Sequence, residues 1–301
     1  MSILIDRDTR VLVQGATGSQ ARFDIRYCLE YGTRIVAGVT PGRGGESVEG
    51  IPVFNTVDAA IRATGANATA IYVPARGVVD AVLEAIDGGL RMLLALAENV
   101  PRHDAARAVG AVRRVGGRLV GFNTNGLISP GRCKMGGIGG DRPADVYVPG
   151  RIGVCSRSGG MSAEISFTLA RAGYGVSTCV SLGGDPLIGM RVLEVLQLFD
   201  ADPETDATVI YGEPGSAHEA EVAAAVRAGV LKKPIIALVV GAFQERYPKG
   251  ASFGHVSAMI QDRDDSATAK RRLLAGVGVS VADTLDDLPQ LLAAAGIARA
   301  A

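Results

Sequence analysis

The sequence predicts two α/β domains in tandem, each built on a doubly wound parallel sheet with helices on both faces. Three observations carry that prediction. Short apolar runs alternate with longer stretches of helical spacing from end to end. A Gly-, Pro- and Asp-rich interruption, Gly139–Gly150 (GGDRPADVYVPG), falls near the middle and divides the chain into 1–140 and 141–301. Forty glycines gather in short groups at the ends of apolar runs, where backbone has to approach a ligand closely.

In the first segment, Arg10–Gln14, Arg34–Val39, Ala70–Pro74, Arg91–Ala95 and Arg118–Phe122 are too short and too uniformly apolar for surface helices and read as buried strands. Between them Ala21–Tyr31, Val57–Thr64, Gly77–Gly88 and Asp104–Val115 repeat apolar residues at helical spacing. The second segment repeats the scheme. Its strands are Gly153–Ser156, Gly175–Ser181, Ala207–Tyr211, Pro234–Val240 and Val277–Val281. Its helices are Ser162–Ala172, Met190–Phe199, His218–Ala228, Thr268–Gly276 and Leu285–Ala295.

Composition narrows the function classes. At 301 residues, with 48% hydrophobic and 21% charged residues, the chain supports two packed cores. Lys+Arg and Asp+Glu balance at 31 each, so no net field draws nucleic acid or an anionic membrane, and a polyanion must be held by local geometry. Four scattered cysteines without a CxxC pair argue against a zinc site or a disulfide framework and point to reduced thiols. With no signal peptide and no apolar run of membrane-spanning length, a cytoplasmic protein is expected.

Five segments carry chemistry. Gln14–Gln20 (QGATGSQ) follows the first strand and opens the first helix, where freed backbone N–H groups cradle phosphate. Its GxxG spacing lacks the third glycine of a dinucleotide fingerprint, and strand two ends in Thr40–Pro41–Gly42–Arg43 with no acid for a ribose, which disfavours NAD. A tight turn without a ligand is the alternative. Arg43 sits beside that loop and could neutralise a phosphate there, or be a solvated turn residue. Ser156–Met161 (SRSGGM) repeats the strand–loop–helix physics in the second domain, with a plain Ser N-cap as the rival reading. His255, between Gly254 and Val256, can take a phosphoryl group on a ring nitrogen, whereas His103 and His218, beside acidic helix-flanking residues, read as surface residues. Glu213, in Tyr211–Ser216 (YGEPGS), falls at a strand's carboxyl end, where it could hold the other ring N–H of a catalytic histidine or be a surface acid.

The order of these blocks is more specific than any one of them. MSILIDRDTRVLVQGATGSQ, GVTPGRGG, GIPVFNTVDAA, SRSGG, GGDPLIG, GEPGS and a glycine-flanked His255 resemble, collinearly from residue 1 to about residue 290, the α subunits of succinyl-CoA synthetase (succinate–CoA ligase). The resemblance implies an N-terminal Rossmann-like CoA-binding domain followed by a flavodoxin-like ligase domain. It places Thr17, Gly18, Ser19, Gln20, Arg43, Leu96, Ala97 and Glu98 at coenzyme A, with Arg43 where the family usually has lysine and Leu96–Ala97 where it has Ile-Thr. It makes His255 the phosphorylated residue and Glu213 its supporting acid. Ser156, Ser158, Gly159 and Gly160 fall at the phosphate-stabilising helix start. It further implies ATP or GTP with Mg2+, bound mainly by an ATP-grasp β subunit in an αβ or α2β2 assembly, and a small carboxylic acid as substrate.

Departures from the family concern the acid. Gly121–Phe122–Asn123–Thr124–Asn125–Gly126 replaces GPNCPG, adding hydrogen-bonding groups at Thr124 and Asn125, and Ala163 stands where the family has the tyrosine that borders succinate. GEIGG has become GEPGS, and the segment before His255 is stretched to Gln244–Gly250. An acid larger or more polar than succinate, such as malate or itaconate, is the expectation. The rival reading from another class is a CoA-binding regulatory or scaffold protein that has lost ligase chemistry. The retained His255 and Glu213 speak against it, because a binder needs neither.

Overall fold

The computed structural model describes residues 2–251, 253–255 and 258–299; Ser252, Val256 and Ser257, in the expected histidine loop, lie outside them. In chain order the first half contains β1 (Arg10–Gln14), α1 (Ser19–Glu30), β2 (Arg34–Val39), β3 (Ser47–Val48), β4 (Ile51–Phe54), α2 (Val57–Thr64), β5 (Ala68–Ile71), α3 (Val78–Asp87), β6 (Met92–Ala95), α4 (Arg102–Arg114) and β7 (Arg118–Val120). These strands form a seven-stranded sheet of order β3-β4-β2-β1-β5-β6-β7. All neighbours are parallel except the short β3–β4 hairpin at one edge. The doubly wound expectation holds.

The sheet is sandwiched, so its central strands are buried on both faces. Every residue of β5 and β6 is buried, as crossovers on both sides require. Leu93 and Leu94 are each wholly enclosed, and such a side chain contributes about 1.5–3 kcal/mol on burial. Helix α2 is closed at both ends by local chemistry. Thr56 accepts from the Ala59 N–H, and Gly65 adopts the left-handed conformation (φ 66°) that lets the chain turn into β5.

The second half contains β8 (Leu127–Ser129), β9 (Cys133–Met135), α5 (Pro143–Val146), β10 (Pro149–Ser156), α6 (Gly159–Arg171), β11 (Val176–Ser181), α7 (Val192–Ala201), β12 (Ala207–Gly212), α8 (His218–Arg227), β13 (Ile235–Val239), α9 (Ala267–Ala275), β14 (Ser280–Ala282) and α10 (Asp287–Ala294). Its sheet runs β14-β13-β12-β10-β11-β8-β9, parallel from β14 to β11 and antiparallel where β8 and β9 are added. β8 and β9 precede residue 140 in sequence yet belong to this second sheet. β9 also touches the first half: Thr33 Oγ1 donates to the Lys134 carbonyl and accepts from its N–H, both at 2.9 Å. Lys134 is fully buried and its ammonium donates to the Gly140 carbonyl at 2.8 Å. The four cysteines are buried and unpaired. Among the described residues no helix is long and apolar enough to cross a membrane.

Candidate active site

The two glycine-rich helix starts both stand at carboxyl ends of parallel strands, where open α/β sheets bind ligands. In the first, Gly15 (φ 78°) follows β1, and its N–H donates to the Val39 carbonyl at 2.8 Å. A Cβ there would press on the Tyr72 carbonyl carbon at 3.1 Å. Gly38 in β2 serves the same loop: a Cβ would come within 2.7 Å of the Ala16 Cβ, so the loop can sit only on glycine. Helix α1 begins after Gly18 with no capping side chain and no acid in its first turn, and Gly18, Ser19 and Gln20 are exposed. Its first N–H groups have no intrahelical acceptor, which suits a phosphate or pyrophosphate.

Thr17 lies against the end of β2, its hydroxyl 3.4 Å from that of Thr40. Arg43 is brought to the same rim, exposed and held by a two-pronged contact to Glu46 through Nε and Nη2. The Glu46 carboxyl is held below its usual range by that contact. Arg22, overlooked in the sequence, donates from Nε to the Thr17 carbonyl at 3.2 Å, so a second cation faces this loop. Leu96 and Ala97 are half-buried and Glu98 exposed beyond β6. The donor set, an uncapped helix start flanked by arginines, fits the phosphates of coenzyme A.

The segment after β7 links this rim to the second domain. The Asn123 N–H donates to the Ala97 carbonyl at 2.9 Å, and the Asn123 carbonyl accepts from the Gly184 N–H at 3.1 Å. Thr124 is buried, its hydroxyl donating to the Ser181 carbonyl at 2.5 Å and accepting from the Gly126 N–H at 2.9 Å. Asn125 Nδ2 donates to the Gly159 carbonyl at 3.2 Å, while its enclosed Oδ1 has no partner among the described residues. Thr124 is thereby engaged in tying the loops together, and Asn125 abuts the start of α6.

That start is tightly folded on itself. Ser156 is fully buried, its hydroxyl donating to the Ser158 carbonyl at 2.7 Å and accepting from the Ser158 N–H at 3.0 Å. Ser158 caps α6, accepting from the Met161 N–H at 3.4 Å. Gly159 is crowded, since a Cβ would meet Asn125 Cγ at 2.8 Å, whereas Gly160 faces open space. Ala163 packs half-buried against the second-domain core.

His255 and Glu213 meet. Nδ1 of His255 lies 2.9 Å from Glu213 Oε2 and 3.1 Å from Oε1. The carboxylate is almost fully buried, while the imidazole is 26% exposed. A carboxylate accepts only, so the contact puts the proton on Nδ1 and leaves the Nε2 lone pair available. The ring rests on the Gly183–Asp185 strip after β11, where a Cβ at Gly184 would fall 2.5 Å from His255 Cδ2 and 2.7 Å from Nε2.

Two buried cations behind the pair escaped the sequence reading. Arg157, 2% exposed, sits with Nη1 3.6 Å from Glu213 Oε1 and donates to the Gly183 and Asp185 carbonyls at 3.2 and 2.8 Å. It thus touches both the acid and the floor under the ring. Burial pulls its guanidinium down, and Glu213, Glu219 and Asp185 draw it back up. Lys270 stands behind the Glu213 turn. His218 corrects an expectation. It is half-buried rather than on the surface, and burial, then Arg157, Lys270 and Arg191, hold it down at about 4. His103 is exposed as expected.

Comparison with known proteins accords with this layout. Residues 6–99 match the family described as CoA binding domain, and residues 149–295 match the succinyl-CoA ligase like flavodoxin domain. The chain is 41% identical to succinate–CoA ligase [ADP-forming] subunit alpha 1 of Archaeoglobus fulgidus, over 96% of each chain. It is 40% identical to the malate–CoA ligase subunit alpha of Methylorubrum extorquens, over 94% of each. With an ADP-forming sulfoacetate–CoA ligase subunit of an Acholeplasma species it shares 38% identity, over 99% of this chain and all of that one. Among solved structures, ATP citrate lyase from Methanothrix soehngenii, in complex with citrate and coenzyme A, superposes with a TM-score of 0.89 at 24% identity. That match covers 99% of this chain and 52% of the lyase, so the chain spans about half the lyase's length and the likeness concerns the fold. Two matched domains in this order, and near-full-length identity of about 40%, establish that the chain belongs to the succinate–CoA ligase α-subunit family.

Proposed function

We propose that the chain is the α subunit of an ADP-forming acid–CoA ligase in which His255 carries the phosphoryl group between a nucleotide held by a β subunit and a small carboxylic acid. The observation that carries this reading is the buried Glu213 carboxylate on Nδ1 of a half-buried imidazole whose Nε2 lies over Gly184. Glu213 fixes the tautomer and stabilises the positive ring that forms when Nε2 is substituted. In the first step Nε2 bonds to the terminal phosphorus as the P–O bond to the leaving diphosphate breaks. In the second, a carboxylate oxygen of the acid takes that phosphorus and Nε2 recovers its lone pair. Coenzyme A supplies the thiol that displaces phosphate from the acyl group. Gly18, Ser19, Gln20 and Thr17, with Arg43 and Arg22, hold its phosphates, and Leu96, Ala97 and Glu98 complete the rim.

The path Ala97–Asn123–Gly184–His255 supports a working link between the two ends, because each step is one main-chain hydrogen bond or one ring contact. Asn123, Asn125, Ser158, Gly159 and Gly160 surround the acid and phosphate in this reading, while Ser156 and Thr124 hold the loops. Relatives act on succinate, malate and sulfoacetate. The polar Asn125 in place of the family's proline favours an acid more polar than succinate, such as malate.

The test is phosphoryl labelling. With the β subunit and labelled ATP, the chain should acquire acid-labile, alkali-stable phosphate that His255→Asn abolishes. Label that survives this substitution would overturn the assignment. Release of the label by a panel of acids with coenzyme A then identifies the substrate.

A further inference from the structure

We propose that Lys270 is a positioning residue for the phosphohistidine step, its ammonium clamping the turn that presents Glu213 to His255. The proposal rests on the roles assigned to Glu213 and His255 above. Lys270 lies in the middle of α9 and is 4% exposed. Its Nζ donates to the Glu213 carbonyl at 2.8 Å, to the Gly215 carbonyl, and to Glu219 Oε2 at 2.6 Å. An ammonium has three N–H groups, so these acceptors use all of them. Two belong to the turn itself and bracket Pro214. Glu219, in the first turn of α8, is buried beside them and balances the charge. Burial pushes its carboxyl up and Lys270 draws it back.

The turn is also gripped from its other sides. The Gly215 N–H donates to the Asp265 carbonyl at 3.0 Å, and Pro214 sits so close to Gly241 that a Cβ there would come within 2.7 Å of the Pro214 ring. Arg157 alone of the two buried cations addresses the Glu213 carboxylate; Lys270 addresses the backbone that carries it. Without the ammonium, two enclosed carbonyls lose their donor and the turn must shift to find others. The carboxylate moves with it, off Nδ1. A lysine kept only to neutralise Glu219 would be dispensable once Glu219 is also apolar, because a buried pair is commonly replaced at little cost in stability. A lysine that clamps the turn is not dispensable in that background.

The experiment uses the full chain with its β subunit. Lys270→Met/Glu219→Leu, Lys270→Arg and Glu219→Gln are compared for His255 labelling by ATP, and for the imidazole tautomer by long-range 1H–15N spectra of histidine-labelled protein. Melting temperature and coenzyme A affinity report the fold. The double variant is expected to label His255 about 10–100-fold more slowly and to lose the pure Nδ1–H signature. Lys270→Arg should recover most of the rate. Glu219→Gln keeps both bonds to the turn and should stay within about threefold of the parent chain. A double variant with parental rate and tautomer overturns the proposal. So does Glu219→Gln if it alone loses the tautomer signature, since that places the effect in the ion pair; this arm decides the matter if the double variant does not fold. Absence of label in the parent chain would defeat the phosphohistidine reading, and the tautomer spectra would still decide the clamp.

Discussion

Replacing Gly184 by alanine tests the geometry under His255 directly. The added methyl would start 2.5 Å from Cδ2, 2.7 Å from Nε2 and 2.8 Å from Cγ, whereas ordinary contact begins at 3.4 Å. The ring must therefore lift by about 0.9 Å, the difference between 3.4 and 2.5 Å. The glycine's φ lies outside the left-handed region, so the backbone itself tolerates alanine. A lift of that size stretches the 2.9 Å contact of Nδ1 with Glu213 beyond hydrogen-bond range or swings the ring away from its acceptor. Misplacement of a reacting group by about 1 Å costs about 100-fold in rate. Gly184→Ala should then label His255 about two orders of magnitude more slowly with ATP and the β subunit, while coenzyme A affinity changes little. Single-turnover labelling with rapid quench measures the step itself. Labelling at the parental rate would refute the reasoning, because it would show that the ring reacts from a pose this floor does not set.

Glu213→Gln keeps the shape and removes the charge that holds the Nδ1 proton, so labelling of His255 should fall about 10²–10⁴-fold with little loss of melting temperature. Gly159→Ala should disturb Asn125 and lower the melting temperature, whereas Gly160→Ala, facing open space, should leave it unchanged and act only on KM for the acid; equal effects on melting would contradict the packing. Glu46→Gln frees Arg43 from its carboxylate and should tighten coenzyme A binding about two- to fivefold by calorimetry. Arg43→Ala should weaken it and reduce the salt dependence. His218, held at about 4 against 6.5, stays neutral in the fold, so the unfolded chain binds the extra proton between those values. Stability should therefore fall as pH drops through that window, by at most about 2–3 kcal/mol for a partly exposed group. Urea midpoints at pH 5 and 7.5 should differ less in His218→Gln than in the parent.

Much of the fold was legible because parallel strands covered on both faces are uniform apolar runs. β1, β2 and α2 lie where the pattern puts them. β5 begins two residues earlier than Ala70, because the polar Thr69 interrupts the apolar run, and it ends at Ile71 rather than Pro74, where the ladder stops. β3, β4, β8, β9 and α5 have two to four residues each, too few for any period to show. β10 begins at Pro149 rather than Gly153, since Pro-Gly-Arg reads as loop although Pro149 already pairs with β11.

At the site, His255 and Glu213 were visible as a glycine-flanked base and a strand-end acid. Arg157 was not, because an arginine between serines at a strand end reads as solvated and nothing local announces its burial. Lys270 was hidden in a run of three cations, Lys270–Arg271–Arg272. A signal did exist: the buried positions of α9 are Ala267, Lys270 and Leu274, so the lysine occupies the inward stripe. His218 was misjudged because its acidic neighbours say nothing of the arginines and lysine folded against it.

The hairpin β8–β9 has a practical consequence for anyone dissecting the protein. A fragment beginning at residue 141 would carry α6 and the histidine loop but would strip two strands from its own sheet. The edge of β11 at Cys179 and Val180, now paired with Ile128 and Leu127, would be left bare. Unsatisfied strand edges recruit one another, so such a fragment should precipitate, whereas one starting before Leu127 keeps its border closed.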